Sequence, residues 1–146
     1  MAANGRRYQA AGTITAAATK TIVAITGGTT VRPAVYDLVL SNFATPADNS
    51  AQWQVRRSTA AGTSTAVTPS PLDSGDPAST TVAGQTHTVE PTYTASVFLL
   101  DVAVNQRATF RWVAAPNSEF VVPATASNGI GIQCVAVNAF GKRHAA

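Results

Sequence analysis

Between its eight prolines and ten glycines, the chain consists of short runs in which Thr, Val and Ile recur. Residues branched at Cβ lose rotamer freedom in a helix and pack well on a pleated surface. Strands are therefore the natural reading almost everywhere. The one alanine-rich stretch, residues 10–25, also carries Thr13, Thr15, Thr19, Thr21, Ile22, Val23 and Ile25. It reads as two strands, about 9–16 and 21–26, followed by a turn at Gly27-Gly28.

Alternation sharpens the pattern further along. In residues 51–58, Ala51, Trp53 and Val55 share one face while Gln52, Gln54 and Arg56 share the other, the mark of a half-buried strand. Residues 31–43 form a long strand. Residues 59–68 read as the hairpin partner of 51–58 through Ala60-Ala61-Gly62. Residues 69–91 are the longest irregular stretch, regaining short strand structure around 80–90. The strongest core strand is 94–105, and Asn105-Gln106 turns it into a meander hairpin with 107–114. Asn128-Gly129 is a hairpin turn into a last strand, 130–137. Alternation places Trp53, Phe98, Leu100, Phe110 and Trp112 in one core. The expected fold is all-β: an antiparallel β-sandwich or barrel of eight to nine strands, the jelly roll being one such form. A length of 146 residues suits one domain. The expected layout is an N-terminal arm (1–8), a single β-domain (9–139) and a polar C-terminal tail (140–146).

Charged residues make up 12% of the chain, about half the usual share. Interface cores are depleted in charge, so a skin of Thr, Ser, Asn and Gln suits a subunit packed against others. An ordinary Thr-rich β-domain is the alternative. The net charge of +3 is small. Arg56, Arg57, Arg107 and Arg111 are scattered over strand segments, which speaks against a nucleic-acid binder. Cys134 is the single cysteine and lies in an apolar run, so a buried, inert thiol is expected and a reducing cytoplasm fits. No stretch reaches the length of a membrane span, and residues 1–7 lack an apolar signal core.

Catalytic chemistry needs convergent reactive groups, and the sequence offers few. His87 and His144 stand apart, in a Thr-rich stretch and the tail, and read as exposed polar residues. Asp73 and Asp76 could hold calcium in an oxygen-rich loop, but an Asx-turn accounts for them better. A glycosidase needs two carboxyls facing each other across a cleft, and nothing in the sequence singles out a pair among Asp37, Glu90, Asp101 and Glu119. The Gly129-Ile130-Gly131 run begins like a dinucleotide fingerprint, yet Cys134 stands at its third glycine and a strand follows. Trp53, Trp112, Tyr36, Tyr93 and Phe110 could stack on a sugar, though the tryptophans fall on apolar faces. No catalytic residue, metal or cofactor is expected.

Several phrases together look familiar: Leu38-Val39-Leu40-Ser41-Asn42-Phe43, Trp53-Gln54-Val55-Arg56-Arg57-Ser58-Thr59, Pro69-Ser70-Pro71-Leu72-Asp73, and Asn105 through Trp112. With Pro123-Ala124-Thr125-Ala126 and Gly129-Ile130-Gly131-Ile132, they resemble the capsid decoration, or cement, proteins of tailed bacteriophages. The resemblance runs from about Leu38 to Val137 and lies in texture, not in one diagnostic motif. It implies a β-rich subunit, commonly a homotrimer, that sits on the outer shell and clamps the major capsid protein. Other phage subunits (tail, fibre or coat) and a carbohydrate-binding or adhesion module are the competing readings.

The terminal residues Arg6, Arg7, Tyr8, Lys142 and Arg143 are the expected shell or subunit contacts. The arginines need partners to be buried, and Tyr8 offers an apolar ring with a polar tip. Pro69, Pro71, Asp73 and Asp76 mark the candidate functional loop. No membrane or sequence-specific nucleic acid is expected as a partner.

Overall fold

The computed structural model describes residues 5–15 and 19–135. The tail at 140–146, with Lys142, Arg143 and His144, lies outside the described residues, as do residues 1–4 of the arm. Among the described residues twelve strands form: β1 (Tyr8–Gln9), β2 (Lys20–Thr26), β3 (Ala34–Val35), β4 (Asp37–Leu40), β5 (Ser50–Ala60), β6 (Thr63–Val67), β7 (Ser70–Pro71), β8 (Val82–Val89), β9 (Thr92–Asn105), β10 (Phe110–Val113), β11 (Phe120–Val121) and β12 (Gly129–Val135). The fold is all-β, with no helix among the described residues. The count exceeds the expected eight to nine because β1, β3, β7 and β11 are two-residue strands. Backbone pairing that short leaves no periodicity to read.

Six strands make the main sheet, in the order β6-β8-β2-β12-β5-β9, and three two-stranded ribbons pair β10 with β4, β11 with β3, and β1 with β7. Every pair is antiparallel. One face of the main sheet packs on the β4–β10 and β3–β11 ribbons. Trp53 lies opposite Cys134, and Val55 opposite Ile132, so these four share that face. They join Val23, Leu38, Leu40, Ala51, Val122 and Ile130 in one buried cluster. Phe120 lies flat on Trp112 with centroids 4.0 Å apart, and both rings flank the core.

The structure corrects the local pairings. None of the pairs joins strands adjacent in sequence. β6 does not fold back on β5 but pairs β8 at the far edge of the sheet. Between them Gly62 has a positive φ of 70°, and a Cβ there would meet Pro91 N at 2.9 Å. β10 does not pair β9. Ala108 N donates to Asn105 O (2.9 Å) and Gln106 N to Asn49 O (2.8 Å), and this turn carries the chain across to β4. Asn128-Gly129 likewise leads from one layer to the other. Turn chemistry marks where the chain reverses; it does not say which sheet receives the next strand. The long strand at 31–43 is interrupted into β3 and β4, and the irregular stretch shrinks because β8 is a full eight-residue strand.

Phe98 is a further correction. It is 48% exposed and not part of the core with Leu100. On β9, Leu100 lies opposite Val55 while Phe98 lies opposite Arg56, with a register shift between them. Two residues of β9 therefore match one step of β5, and this bulge turns Phe98 to the other face.

Candidate functional site

Two regions sequence reading kept apart, the N-terminal arm and the loop after β6, meet in the structure. Tyr8 lies opposite Pro71 and Gln9 opposite Ser70. Leu72 N donates to Arg7 O at 2.9 Å, and the Tyr8 hydroxyl donates to Pro77 O at 3.0 Å. Arg6 Nε stands 3.8 Å from Asp76 Oδ1. The Arg7 guanidinium lies 5.8 Å from the Tyr36 ring centroid. Asp73 forms the expected Asx-turn: its Oδ1 accepts from Gly75 N at 2.9 Å and its carbonyl accepts from Asp76 N at 3.0 Å. No group of three metal-ligating side chains occurs among the described residues. Thus Arg6, Arg7, Tyr8, Pro71, Asp73 and Asp76 share one lobe, with Pro69 at its edge. Leu72 stands out from it, 57% exposed.

The strand expected over 9–16 is cut to Tyr8–Gln9, and residues 10–15 form no strand. Tyr8, Ala10, Gly12 and Ile14 are half-buried, while Gln9, Ala11, Thr13 and Thr15 are exposed. Ile14 reaches the core cluster. Gly12 is required where this segment approaches β2, since a Cβ there would meet Ile22 O at 2.6 Å.

The second feature is a polar cluster on the main sheet's other face. Thr21 has no exposed surface. Its amide donates to Glu90 Oε2 at 2.9 Å and its hydroxyl to the same oxygen at 2.5 Å. The Tyr93 hydroxyl is 2.7 Å from Thr21 Oγ1, and Lys20 Nζ is 3.3 Å from Glu90 Oε1. The Arg56 guanidinium lies 5.1 Å from both the Tyr93 and the Phe98 ring centroids. Such stacking stabilises a guanidinium that is partly removed from water. Gln52 and Gln54 donate to the Asp101 carboxylate at 2.7 and 3.2 Å.

This environment shifts titrations. Burial pushes the Tyr93 phenol up to about 12, with the Thr21 hydrogen bond opposing and Glu90 assisting. Burial lowers His87, with Glu90 pulling the other way, and raises the Cys134 thiol. Away from the cluster, Arg111 grips Asp37 through two hydrogen bonds of 3.0 and 2.6 Å. That pairing lowers Asp37 and raises Arg111.

His87 corrects the sequence reading most sharply. It is 6% exposed, not a surface residue. The cluster around it was missed because its members come from β2, β8, β9 and the β8–β9 connection. One signal was present: glycines at 129 and 131, two apart in a strand, mark a place where something approaches closely. Comparison with protein-family models, with curated proteins and with solved structures finds no match.

Proposed function

We propose that this chain is a virion structural protein that binds the outer capsid shell of a tailed bacteriophage and stabilises contacts between neighbouring capsid subunits. In this reading it is not an enzyme, needs no cofactor, and acts as a homo-oligomer, a trimer by its resemblance to decoration proteins. The observation that carries the proposal is strand β9. It runs 14 residues along the edge of the main sheet, with β5 as its one paired neighbour among the described residues. It contains no Lys, Arg or Pro. Free-living β-proteins blunt such edges with short strands, charges or prolines. β9 is bulged in its first half, but from Leu100 to Asn105 it runs in regular register. A strand of this kind suits a subunit whose working state is packed against other chains. Val39, Phe43, Leu72, Val113 and Phe98 add apolar side chains that are 48–70% exposed. On a chain with so little charge, these are the contacts an assembled shell would bury.

The test is to add the purified chain to expanded, undecorated capsids of its phage and to measure sedimentation with the particle and the temperature of genome release. Co-sedimentation at a fixed copy number with a raised release temperature supports the proposal. A chain that stays in the supernatant overturns it, and binding to a glycan array instead would favour the adhesion reading.

A further inference from the structure

We propose that His87 makes the outer face of the main sheet acid-sensitive, so that protonation of its ring opens the tie between β2, β8 and the start of β9. Three independent features meet at this residue. First, the ring is almost fully buried, yet neither Nδ1 nor Nε2 makes a hydrogen bond of good geometry among the described residues; the Thr21 backbone lies near enough only to favour the charged ring against its burial. A neutral imidazole tolerates that at a cost; an imidazolium, with two N–H donors and a charge, does not. Second, Thr86 immediately before it has a positive φ of 50°, which a β-branched residue adopts only when its surroundings force it. Opposite this stretch the β6–β8 register shifts between Thr63 and Thr65. The strained step belongs to the same irregular stretch of β8 that carries His87 and opens when His87 must reach water. Third, the carboxylate that acts on the ring is already ion-paired. Glu90 Oε2 holds the Thr21 amide and hydroxyl, and Glu90 Oε1, which receives no hydrogen bond among the described residues, is held by the Lys20 charge at 3.3 Å.

The charged groups that act on the ring are Glu90 after β8 and Lys20 on β2; β6 contributes none. Burial disfavours the charge and outweighs the rest: Glu90 and the Thr21 backbone favour the imidazolium, and Lys20 repels it. The sign follows from linkage. With the folded value below the ordinary 6.5, the unfolded or opened chain binds the proton first. Full stability is present above 6.5 and declines as pH falls from there toward the folded value. A protein held closed at neutral pH would loosen in mild acid, at the face that carries Arg56 and Phe98.

The experiment is hydrogen exchange by mass spectrometry on the full chain at about pH 7.5 and about pH 5, corrected for intrinsic rates, in wild type and His87→Phe. Expected is about a tenfold excess of exchange at the lower pH in peptides spanning 20–26 and 82–93, absent from H87F. Equal pH dependence in the two proteins, or no excess in wild type, overturns the proposal. Should H87F fail to fold, an NMR titration of the His87 ring in wild type decides. The chain's other histidine, His144, is assigned through H144Q. A midpoint below 6.5 supports the proposal, and one at or above 6.5 sinks it.

Discussion

The ring of Tyr93 stands where a side chain on Gly131 would be. A Cβ at position 131 would lie 2.7 Å from both Cε1 and Cζ of Tyr93. The ring thus crosses β12 to reach Thr21 on β2, joining strands three places apart in the sheet. Gly131→Ala must displace it and should destabilise the fold by ~1–3 kcal/mol in urea denaturation. In a Tyr93→Ala background the same change should cost far less. A cycle with no coupling would show that the ring and the glycine are independent.

Tyr93 also predicts an alkaline limit. Its phenol ionises at about 12 in the folded chain, against an ordinary 10.0. The folded state therefore favours the neutral phenol, and the stability this supplies is complete below 10 and lost as pH rises toward 12. Thermal melts across that range should fall more steeply in wild type than in Tyr93→Phe. Parallel curves would remove the phenol from the account.

Val55 and Phe98 lie on opposite faces and should respond differently. Val55 is 1% exposed in the core cluster, so Val55→Ala leaves a cavity and should cost ~2–4 kcal/mol. Phe98→Ala removes an exposed ring and its contact with Arg56, and should cost only about 0.5–1 kcal/mol. Equal losses would mean the bulge in β9 had been placed on the wrong side of Phe98.

Cys134 is buried, and burial raises its thiol, so thiolate is scarce and access is blocked. A disulfide reagent at neutral pH should label native protein at about a hundredth of the unfolded rate or slower. Rapid labelling of native protein would show that β12 is open to solvent.

Deleting residues 2–7 should leave the fold nearly unchanged, by less than about 1 kcal/mol, because among the described residues it removes one exposed ion pair, the Leu72–Arg7 hydrogen bond and the Arg7 contact with Tyr36. Tyr8 and Ile14 remain in place. If the arm also docks on a neighbouring subunit, the truncated chain should bind capsids more weakly, and full-length binding should weaken as salt rises. Undiminished binding across a salt series would end that role for the arm.

Much of the fold was legible because its long strands carry clean alternation. Trp53 and Val55 announce a core face, and Gln52 and Gln54 announce the opposite one. That the residues around Tyr8 meet the loop after β6 was not legible, since the two-residue pairing of Tyr8 and Gln9 with Pro71 and Ser70 leaves no pattern. The partners of each strand were illegible for another reason. Good turn residues at Gly62, Asn105 and Asn128 suggested hairpins, and all three turns lead elsewhere. Phe98 was misplaced because a single bulge inverts alternation. His87 looked solvent-exposed because the residues that bury it are distant in sequence.

The central position of β12 has a consequence for how the chain comes to be folded. Among the described residues this strand comes last in chain order, yet it lies between β2 and β5. Until it has been made, no strand pairing joins the two halves of the main sheet, and among the described residues no hairpin of sequence neighbours holds either half. Such topologies close slowly, because distant segments must meet before any pairing rewards them. The nascent chain therefore waits with Ile130, Ile132 and their future neighbours uncovered, at its most vulnerable to aggregation. A chain stopped before Gly129 should therefore be an unfolded one.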